Sequence, residues 1–542
     1  MGSLVSKAKL FLYATIQLGK TYDVLRKRIE TSPGVPVDNP TLPLWTVPRA
    51  QIPSHETGPF PQHVDVVIIG SGITGTSFAY NALAREPGLK IAMLEARDIC
   101  SGATGRNGGH INPPLYHDYA ELKEKYGEHA AKLLVTFRMS HVTEMQRISS
   151  QESIQKQSQV RQTEHLDVYT CSIAFAEAKQ NLEKWRADMP RESSTFVVHE
   201  RREAIEKYHL SDDVVGCISN AGGAMHPYRF VTSLLAILLN RHAGNFHIFA
   251  HTPCTAVTVP ASTSTSASSP ALYAVHTPRG TLLAPHVVHA TNGWAAHLLP
   301  PLLTKLAPAR GGMSAQRPGS GPGLRAATQA GGRSFVFYRP GGGYDYLTQL
   351  PREDEDELMF GGGWATACDD AQHGLPEIGI ADDSAVNHVG QSYLAGALPR
   401  YFGMRNWGRD AVPRDDDYEG GEGGEGLWGM GRTKAQWSGI LGISADMLPW
   451  VGRLPEKVSG RAQPRPELVR EKKSVHTAAP GEWIAAGYSG EGMVHAWMSG
   501  KALASMVLDR DEEVREWFPD ILRVTEKRWK EANIEELFAR FM

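Results

Sequence analysis

The chain has 542 residues, 21% of them charged, and a formal net charge of −3. That length allows two or more domains with ample core, and the near-neutral balance lacks the basic excess expected of a nucleic-acid binder. Five widely spaced cysteines, Cys100, Cys171, Cys217, Cys254 and Cys368, with no CxxC pair, argue against a disulfide framework or structural zinc site and for a reducing intracellular compartment, cytoplasmic in first place.

From Leu4, LVSKAKLFLYATIQLGKTYDVLRKRI reads as an amphipathic, mostly basic helix. Packing on the body of the protein is its favoured role; a membrane-surface helix or a mitochondrial transit segment are the alternatives. Met1 to Ser6 also fits the short myristoylation pattern. No apolar run has the length of a membrane span, and a secretory cleavage pattern is missing. Residues 31–62, rich in proline, read as an extended arm without regular structure.

The stretch from Val64 to Ala96 is read as strand, glycine turn, helix and strand, closed by a carboxylate. Gly70 permits a tight turn, Gly72 a close approach of backbone to pyrophosphate, and Gly75 close packing of helix on strand. Glu95 follows Gly75 by 20 residues and is placed to accept hydrogen bonds from a ribose diol. The unit predicts a dinucleotide at a helix N-terminus, with NAD or FAD preferred over NADP.

Next comes SGATGRNGGHINP, Ser101 to Pro113. Its glycines suit a backbone wrapped around a ligand; the Ser101 and Thr104 hydroxyls are phosphate donors, and Arg106 a charge-assisted one. Residues 118–160 carry helical spacing, and HPYRFVTSLLAILLNRH a further helix with Pro227 near its start. FHIFAHTPCTAVTVP and the stretch up to VVHAT read as β, around a low-complexity hairpin tip at 261–271. Thr291, Asn292 and Gly293 form a polar turn after that strand. Residues 311–333 read as glycine-rich loop, SFVFYRPGGGYDYLTQLP and ELMFGGGW as strands, and RDDDYEGGEGGEG as an acidic solvated loop. WSGILGISADMLPWVG reads as a turn-rich apolar segment and 456–478 as a charged surface insertion. AGYSGEGM, Ala486 to Met493, closes a strand and opens a second helix, whose N-terminus can stabilise negative charge on a reduced cofactor ring. A charged helix runs from about Asp511.

These segments, in this order over roughly residues 63–508, resemble the D-amino-acid-oxidase superfamily of flavoproteins, in the branch of glycine, sarcosine and γ-glutamylputrescine oxidases. The resemblance implies an α/β fold: a Rossmann-like FAD domain assembled from discontinuous segments, 63–117, 200–309 and 436–510, with a mostly antiparallel β substrate domain from 118–199 and 310–435. Segments 1–62 and 511–542 would flank them. It implies FAD held at Gly70, Gly72, Ile73, Thr74 and Gly75, with Glu95, Ala96 and Arg97 by the ribose. Ser101, Gly102, Ala103, Thr104, Arg106, Asn107, Gly108 and Gly109 would line the path to the flavin. Val257 would meet adenine, Thr291 and Gly293 the nucleotide turn, and Gly490, Glu491, Gly492 and Met493 the pyrimidine edge.

The implied reaction is oxidation of a C–N bond. Hydride passes to flavin, the imine hydrolyses, and O2 reoxidises the flavin to give H2O2. Three departures from the family pattern bear on this. No arginine stands in Gly439–Gly442 to clamp a carboxylate, which favours an amine or a larger amine-bearing metabolite over a simple α-amino acid. No cysteine stands there to attach FAD, and Arg106 replaces a flavin-linking histidine, so non-covalent FAD is the default, with His110 as the alternative attachment point. His110, Tyr344, Tyr346 and Trp437 are the candidates for substrate contact, each against a packing role; His226 reads as a helix-start residue. No metal is expected. An FAD dehydrogenase serving a quinone or protein acceptor, with the first helix on a membrane, and a non-catalytic flavin-binding protein are the competing functions.

Overall fold

Val66–Ile69 is a four-residue strand buried at every position, and its alternation decides the layers around it. Val66 and Ile68 face one apolar cluster with the helices Ile73–Arg85, Pro227–Arg241 and Ala496–Val507. Val67 and Ile69 face another, with Tyr273, Val275 and Leu282. A strand apolar on both sides belongs inside a parallel sheet covered on both faces. The computed structural model, which describes residues 2–54, 59–260, 272–351, 355–367, 377–411, 413, 427–464 and 475–535, has this arrangement.

Six strands form the sheet in the order Trp450–Arg453, Gly481–Ala486, His286–His289, Val66–Ile69, Ile91–Leu94, Phe246–Phe249. All pairs are parallel except the first, which is antiparallel. Helices cover one face; an antiparallel three-stranded sheet, Ala256–Thr258, Tyr273–Thr277 and Gly280–Ala284, covers the other.

A second, nine-stranded sheet stands beside it. Its main path is Thr433–Ser444, Leu306–Gln316, Leu358–Gly362, Tyr344–Gln349, Arg333–Tyr338, Arg161–Tyr169, Gly216–Ala224, His110–Ile111, with Val197–Glu200 paired to Gly216–Ala224. Every pair is antiparallel except Arg333–Tyr338 with Arg161–Tyr169. The expected α/β class with a mostly antiparallel second sheet is therefore present.

Several local expectations are corrected. Residues 311–333 are not loop: Leu306–Gln316 runs as strand through Gly311 and Gly312, and Pro322–Thr328 is helix. Pairing on both sides satisfies that strand's backbone, and a Cβ at Gly312 would lie 2.9 Å from Gln391 Nε2, so packing overrides propensity there. The supposed turn-rich segment is mostly the strand Thr433–Ser444, followed by Trp450–Arg453. The helical span 118–160 is two helices, Leu115–Tyr126 and Glu128–Gln151, divided by Gly127 at φ +86°, followed by the short helix Gln155–Ser158. In place of a single C-terminal helix there are short turns at Asp511–Val514 and Asp520–Leu522 and a helix Glu526–Glu531; Pro519 stands among them. Gly216–Ala224, assigned above to the FAD segments, pairs in the nine-stranded sheet, as does 436–444.

Gly2–Glu30 is one helix. Leu25 and Ile29 near its end are buried in an apolar cluster with Ala309 and Ile378, whereas Leu10 and Phe11 are 69% and 76% exposed. No helix among the described residues is long and apolar enough to cross a membrane. The hairpin tip at 261–271, the acidic loop at 414–426, residues 465–474 of the surface insertion, Met1 and Cys368 lie outside the described residues. The other four cysteines are free thiols.

Gly75 shows how tightly helix and strand are joined. A Cβ there would lie 2.2 Å from the Gly70 carbonyl oxygen. Alanine in a helix normally gains up to about 1 kcal/mol over glycine. The clash reverses the sign: Gly75→Ala lowers stability by about 1–3 kcal/mol, read from the urea midpoint at unchanged m-value.

Candidate active site

A cavity lies between the two sheets, reached from the C-terminal end of the parallel strands. Its floor is the turn Ile69–Thr74 and the strand end Leu94–Arg97. Gly70 has φ +109°, and a Cβ on it would stand 2.6 Å from Ala290 O, so glycine is required twice over. Thr104 Oγ1 accepts from Ile73 N at 3.0 Å, one of the helix-start amides without an intrahelical acceptor.

Glu95 ends its strand with both oxygens engaged: Oε2 accepts from Ser71 N (3.1 Å) and Oγ (2.6 Å), and Oε1 from Arg97 N (3.1 Å). A carboxylate has about four lone-pair directions, so capacity for a diol remains. At the far end Gly311, Gly312, Met313 and Tyr346 of the second sheet close the cavity. The loop after Gly481–Ala486 supplies Gly490, Gly492 and Met493, and Tyr488 OH meets Thr74 Oγ1 at 2.8 Å, tying the two glycine loops together.

Of the residues singled out in the sequence, Gly70, Gly72, Ile73, Thr74, Glu95, Ala96, Arg97, Gly102, Ala103, Thr104, Arg106, Asn107, Thr291, Gly490, Gly492, Met493 and Tyr346 line this cavity. Gly75 lies directly beneath it against Gly70 O. Ser101, Gly108, Gly109, Val257 and Gly293 are not on its wall; Val257 is in the three-stranded sheet, and Pro253 and Cys254 reach the cavity instead.

Arg106 does not offer its charge to a ligand in the expected manner. Its Nε donates to Ser101 O (2.8 Å) and its guanidinium to Ser438 O (2.8 Å) and Thr41 Oγ1 (3.2 Å), and Nε lies 3.4 Å from Asp383 Oδ2. Burial lowers its pKa to about 10. Arg97 is bidentate on the same fully buried Asp383, at 2.8 and 3.1 Å. Both arginines are struts of the loop.

Three of the four substrate-contact candidates are elsewhere. Trp437 is fully buried and donates to Arg106 O at 2.8 Å, a packing role. Tyr344 is 47% exposed and off the wall. His110 stands behind it, with Nε2 3.2 Å from His165 Nδ1; His165 Nε2 is 3.0 Å from Asp167 Oδ1. Burial holds His110 neutral, well below the usual histidine range. Tyr346 lines the cavity, its OH donating to Met313 Sδ at 3.2 Å. His226 caps Pro227–Arg241, accepting from Arg229 N at 3.2 Å, as its sequence position implies.

Glu491 points away from the cavity, toward Arg138 (3.4 Å), whose Nη1 donates to both Asp118 carboxylate oxygens at 2.7 and 3.0 Å. Burial raises the Glu491 carboxyl to about 7, against the pull of Arg138. Residues missed in the sequence are Gly34, Val35 and Pro36 of the arm, Trp294 and His297, Gly311 to Met313, and Asp383 behind the wall. Trp294 and His297 fall in VVHATNGWAAHLLP and Gly311 to Met313 in APARGGM, stretches that carried a signal in the sequence; the arm and Asp383 did not.

The wall fits a dinucleotide. Thr291 and Trp294 line the cavity, and Thr291 Oγ1 and Trp294 Nε1 are buried without a hydrogen-bond partner, as expected beside a polar ligand. The glycine turn leaves backbone room, and its helix start favours an anion.

The comparisons with known proteins agree. The family model described as FAD dependent oxidoreductase matches residues 65–506, and the chain belongs to that family; it is an FAD-dependent oxidoreductase, as its motifs implied. Glycine oxidase from Geobacillus kaustophilus has the same fold, with TM-score 0.57 and 16% identity over 86% of this chain and 99% of that one. Iminodiacetate oxidase from Chelativorans sp. BNC1 gives 0.54 and 16% over 81% and 94%, and L-proline dehydrogenase from P. horikoshii 0.55 and 17% over 82% and 93%. Curated relatives match over short stretches: gamma-glutamylputrescine oxidoreductase of Escherichia coli (strain K12) is 37% identical over 70 residues, 13% of this chain and 16% of the relative. Mitochondrial L-2-hydroxyglutarate dehydrogenase of Homo sapiens is 36% identical over 74 residues, 14% of this chain and 16% of the relative. The chain thus spans only about a sixth of the length of these curated relatives.

Two outcomes follow for stability. Asp383→Asn leaves two buried guanidinium groups without their counter-charge and costs about 3–5 kcal/mol, measured by urea unfolding. The buried histidines His110, His226 and His495 are held neutral well below the usual range, and His141 is lowered to about 4, each by burial. The unfolded chain takes up these protons first, so stability is full above about pH 6.5 and falls toward pH 4 by about 1.4 kcal/mol per unit for each such group. Glu491, raised to about 7, acts in the opposite sense but is one group against four. Urea midpoints taken from about pH 7.5 down to about pH 5 measure the slope, and His141→Gln flattens it.

Proposed function

We propose that this enzyme oxidises the C–N bond of an amine or amino-acid-like substrate, with O2 as electron acceptor. The observation that carries the amine class is the charge state of the wall. Among the described residues, Arg97 and Arg106 are the arginines that line the cavity, no lysine lines it, and Asp383 binds both arginines. Among the described residues, Gly439–Gly442 offers no cation. A substrate carboxylate at the Tyr346 end would therefore lose water without gaining a partner, which is costly; a neutral amine would not. The solved relatives whose names mention glycine, proline and iminodiacetate support C–N chemistry in this fold.

In this reading FAD lies non-covalently along the cavity. The turn Gly70–Gly75 would hold its pyrophosphate and Glu95 its ribose, and the Gly490–Met493 loop, with the helix that follows it, would meet the ring. FAD supplies the two-electron acceptor; the amine carbon gives up a hydride, the nitrogen a proton, and the resulting imine takes up water to release carbonyl and amine. Tyr346, with Met313 and the glycine strand 311–312, shapes the pocket over the reacting carbon and keeps water from it. His110 acts through the loop at Gly108–Gly109, not on the substrate.

Anaerobic mixing of the holoprotein with primary amines, N-methyl amines and amino acids tests this. Amines bleach the visible flavin absorption and, on admitting air, yield one H2O2 per turnover, while amino acids bleach it at least about ten-fold more slowly. Tyr346→Phe keeps the flavin spectrum and lowers kcat/KM by about ten-fold. Bleaching that only a quinone reverses would establish the dehydrogenase instead, and a yellow protein that no amine bleaches would sink the enzymatic reading.

A further inference from the structure

The arm that precedes the family match makes part of the cavity wall. Gly34, Val35 and Pro36 line it, although the matched region begins at residue 65. Four ties hold this segment, and each ends on another lining residue. Ser32 Oγ meets His297 Nδ1 at 3.1 Å. Val37 O accepts from the Arg97 guanidinium at 3.1 Å. Thr41 Oγ1 accepts from Arg106 at 3.2 Å, while Thr41 N and Oγ1 both donate to Asp383 O, at 2.8 and 2.9 Å. Trp45 Nε1 donates to Asn107 O. His297, Arg97, Arg106 and Asn107 all line the cavity.

The segment is pinned at both ends. Upstream, Leu25 and Ile29 are 2% and 3% exposed; downstream, Leu44 and Trp45 are 6% and 2% exposed. Pro33, Pro36, Pro40 and Pro43 keep it extended and stiff. Val35 lines the cavity and is nevertheless 43% exposed.

We propose that Ser32–Trp45 is a strap that closes the ribose end of the cofactor cavity and sets the rate at which FAD leaves. This rests on the reading above that FAD occupies the cavity with its ribose at Glu95. A ligand beneath a segment pinned at both ends departs only when a tie opens, so the strap acts on dissociation more than on association. It gives non-covalent FAD a long residence without a covalent bond.

The experiment uses the full-length holoprotein loaded with FAD. After dilution into flavin-free buffer, the recovery of flavin fluorescence reports release. Val35→Asp, a half-exposed position that does not threaten folding, and Trp45→Ala are expected to release FAD about ten-fold faster or more, with association rates within about two-fold of the parent. Leu10→Ser, on the exposed part of the first helix, leaves release unchanged. Release from Val35→Asp within about two-fold of the parent overturns the strap while leaving the cavity reading intact. A parent protein that takes up no FAD overturns both.

Discussion

One buried carboxylate, Asp383, holds three parts of this molecule in register. It is fully buried and carries Arg97 from the end of the Glu95 strand and Arg106 from the glycine loop. Its own carbonyl receives Thr41 of the arm and Ser438 of the long strand beside the cavity. Two guanidinium groups and one carboxylate out of water are expensive, and their mutual attraction offsets this only when geometry is good and remaining donors are satisfied. Here most are: Arg106 also reaches Ser101 O and Ser438 O, and Arg97 reaches Val37 O and Ser101 O. Loss of any one partner leaves the others buried and uncompensated. The cofactor loop, the second sheet and the arm are therefore coupled through a single residue, by its carboxylate and its backbone carbonyl.

The glycines around the cavity are the complement of that constraint. Gly70, Gly75 and Gly105 each leave less than the space of a methyl group against a neighbouring carbonyl. The chain is drawn close where backbone amides, not side chains, face the ligand. Gly293 does the same between the polar turn and Leu441 O, where a Cβ would lie 2.5 Å away. Of these contacts, the one at Gly293 brings the polar turn after the parallel sheet against the second sheet.

What the sequence made legible was whatever its own neighbours determine. Val64–Ala96 could be read because strand, turn, helix and carboxylate occur in succession, and each signal reinforces the next. Gly490 to Met493 could be read because the turn again separates an apolar strand from a helix. Asp383 carried no local signal: it is the second of two adjacent acids before a helix, and its meaning comes from Arg97, 286 residues away in sequence. The arm was readable as extended but not as wall, since proline content specifies stiffness and not destination. Residues 311–333 misled because glycine favours loops in isolation, whereas two paired neighbours make a strand of Leu306–Gln316 regardless. Tyr344 and Tyr346 looked equivalent on one strand, but alternate residues facing the same side still differ when the strand runs out past its neighbours. Tyr346 pairs with both Val336 and Gly361, whereas Tyr344 pairs only with Tyr338.

The distribution of charge also differs between the two ends of the cavity. In the proposed binding mode the cofactor's pyrophosphate would meet a helix start and a glycine turn, whose partial charges are fixed in the backbone and need no counter-ion. The arginines nearest to it are spent on Asp383, so they stiffen the wall instead of screening phosphate. A cavity built this way can remain nearly neutral at the Tyr346 end, where Met313, Tyr346 and the glycines of 311–312 present little charge. An oxidation that begins from a neutral amine requires such a place, because a cationic wall would repel the positive charge that builds at nitrogen as hydride leaves, and an anionic wall would hold the amine in its protonated, unreactive form.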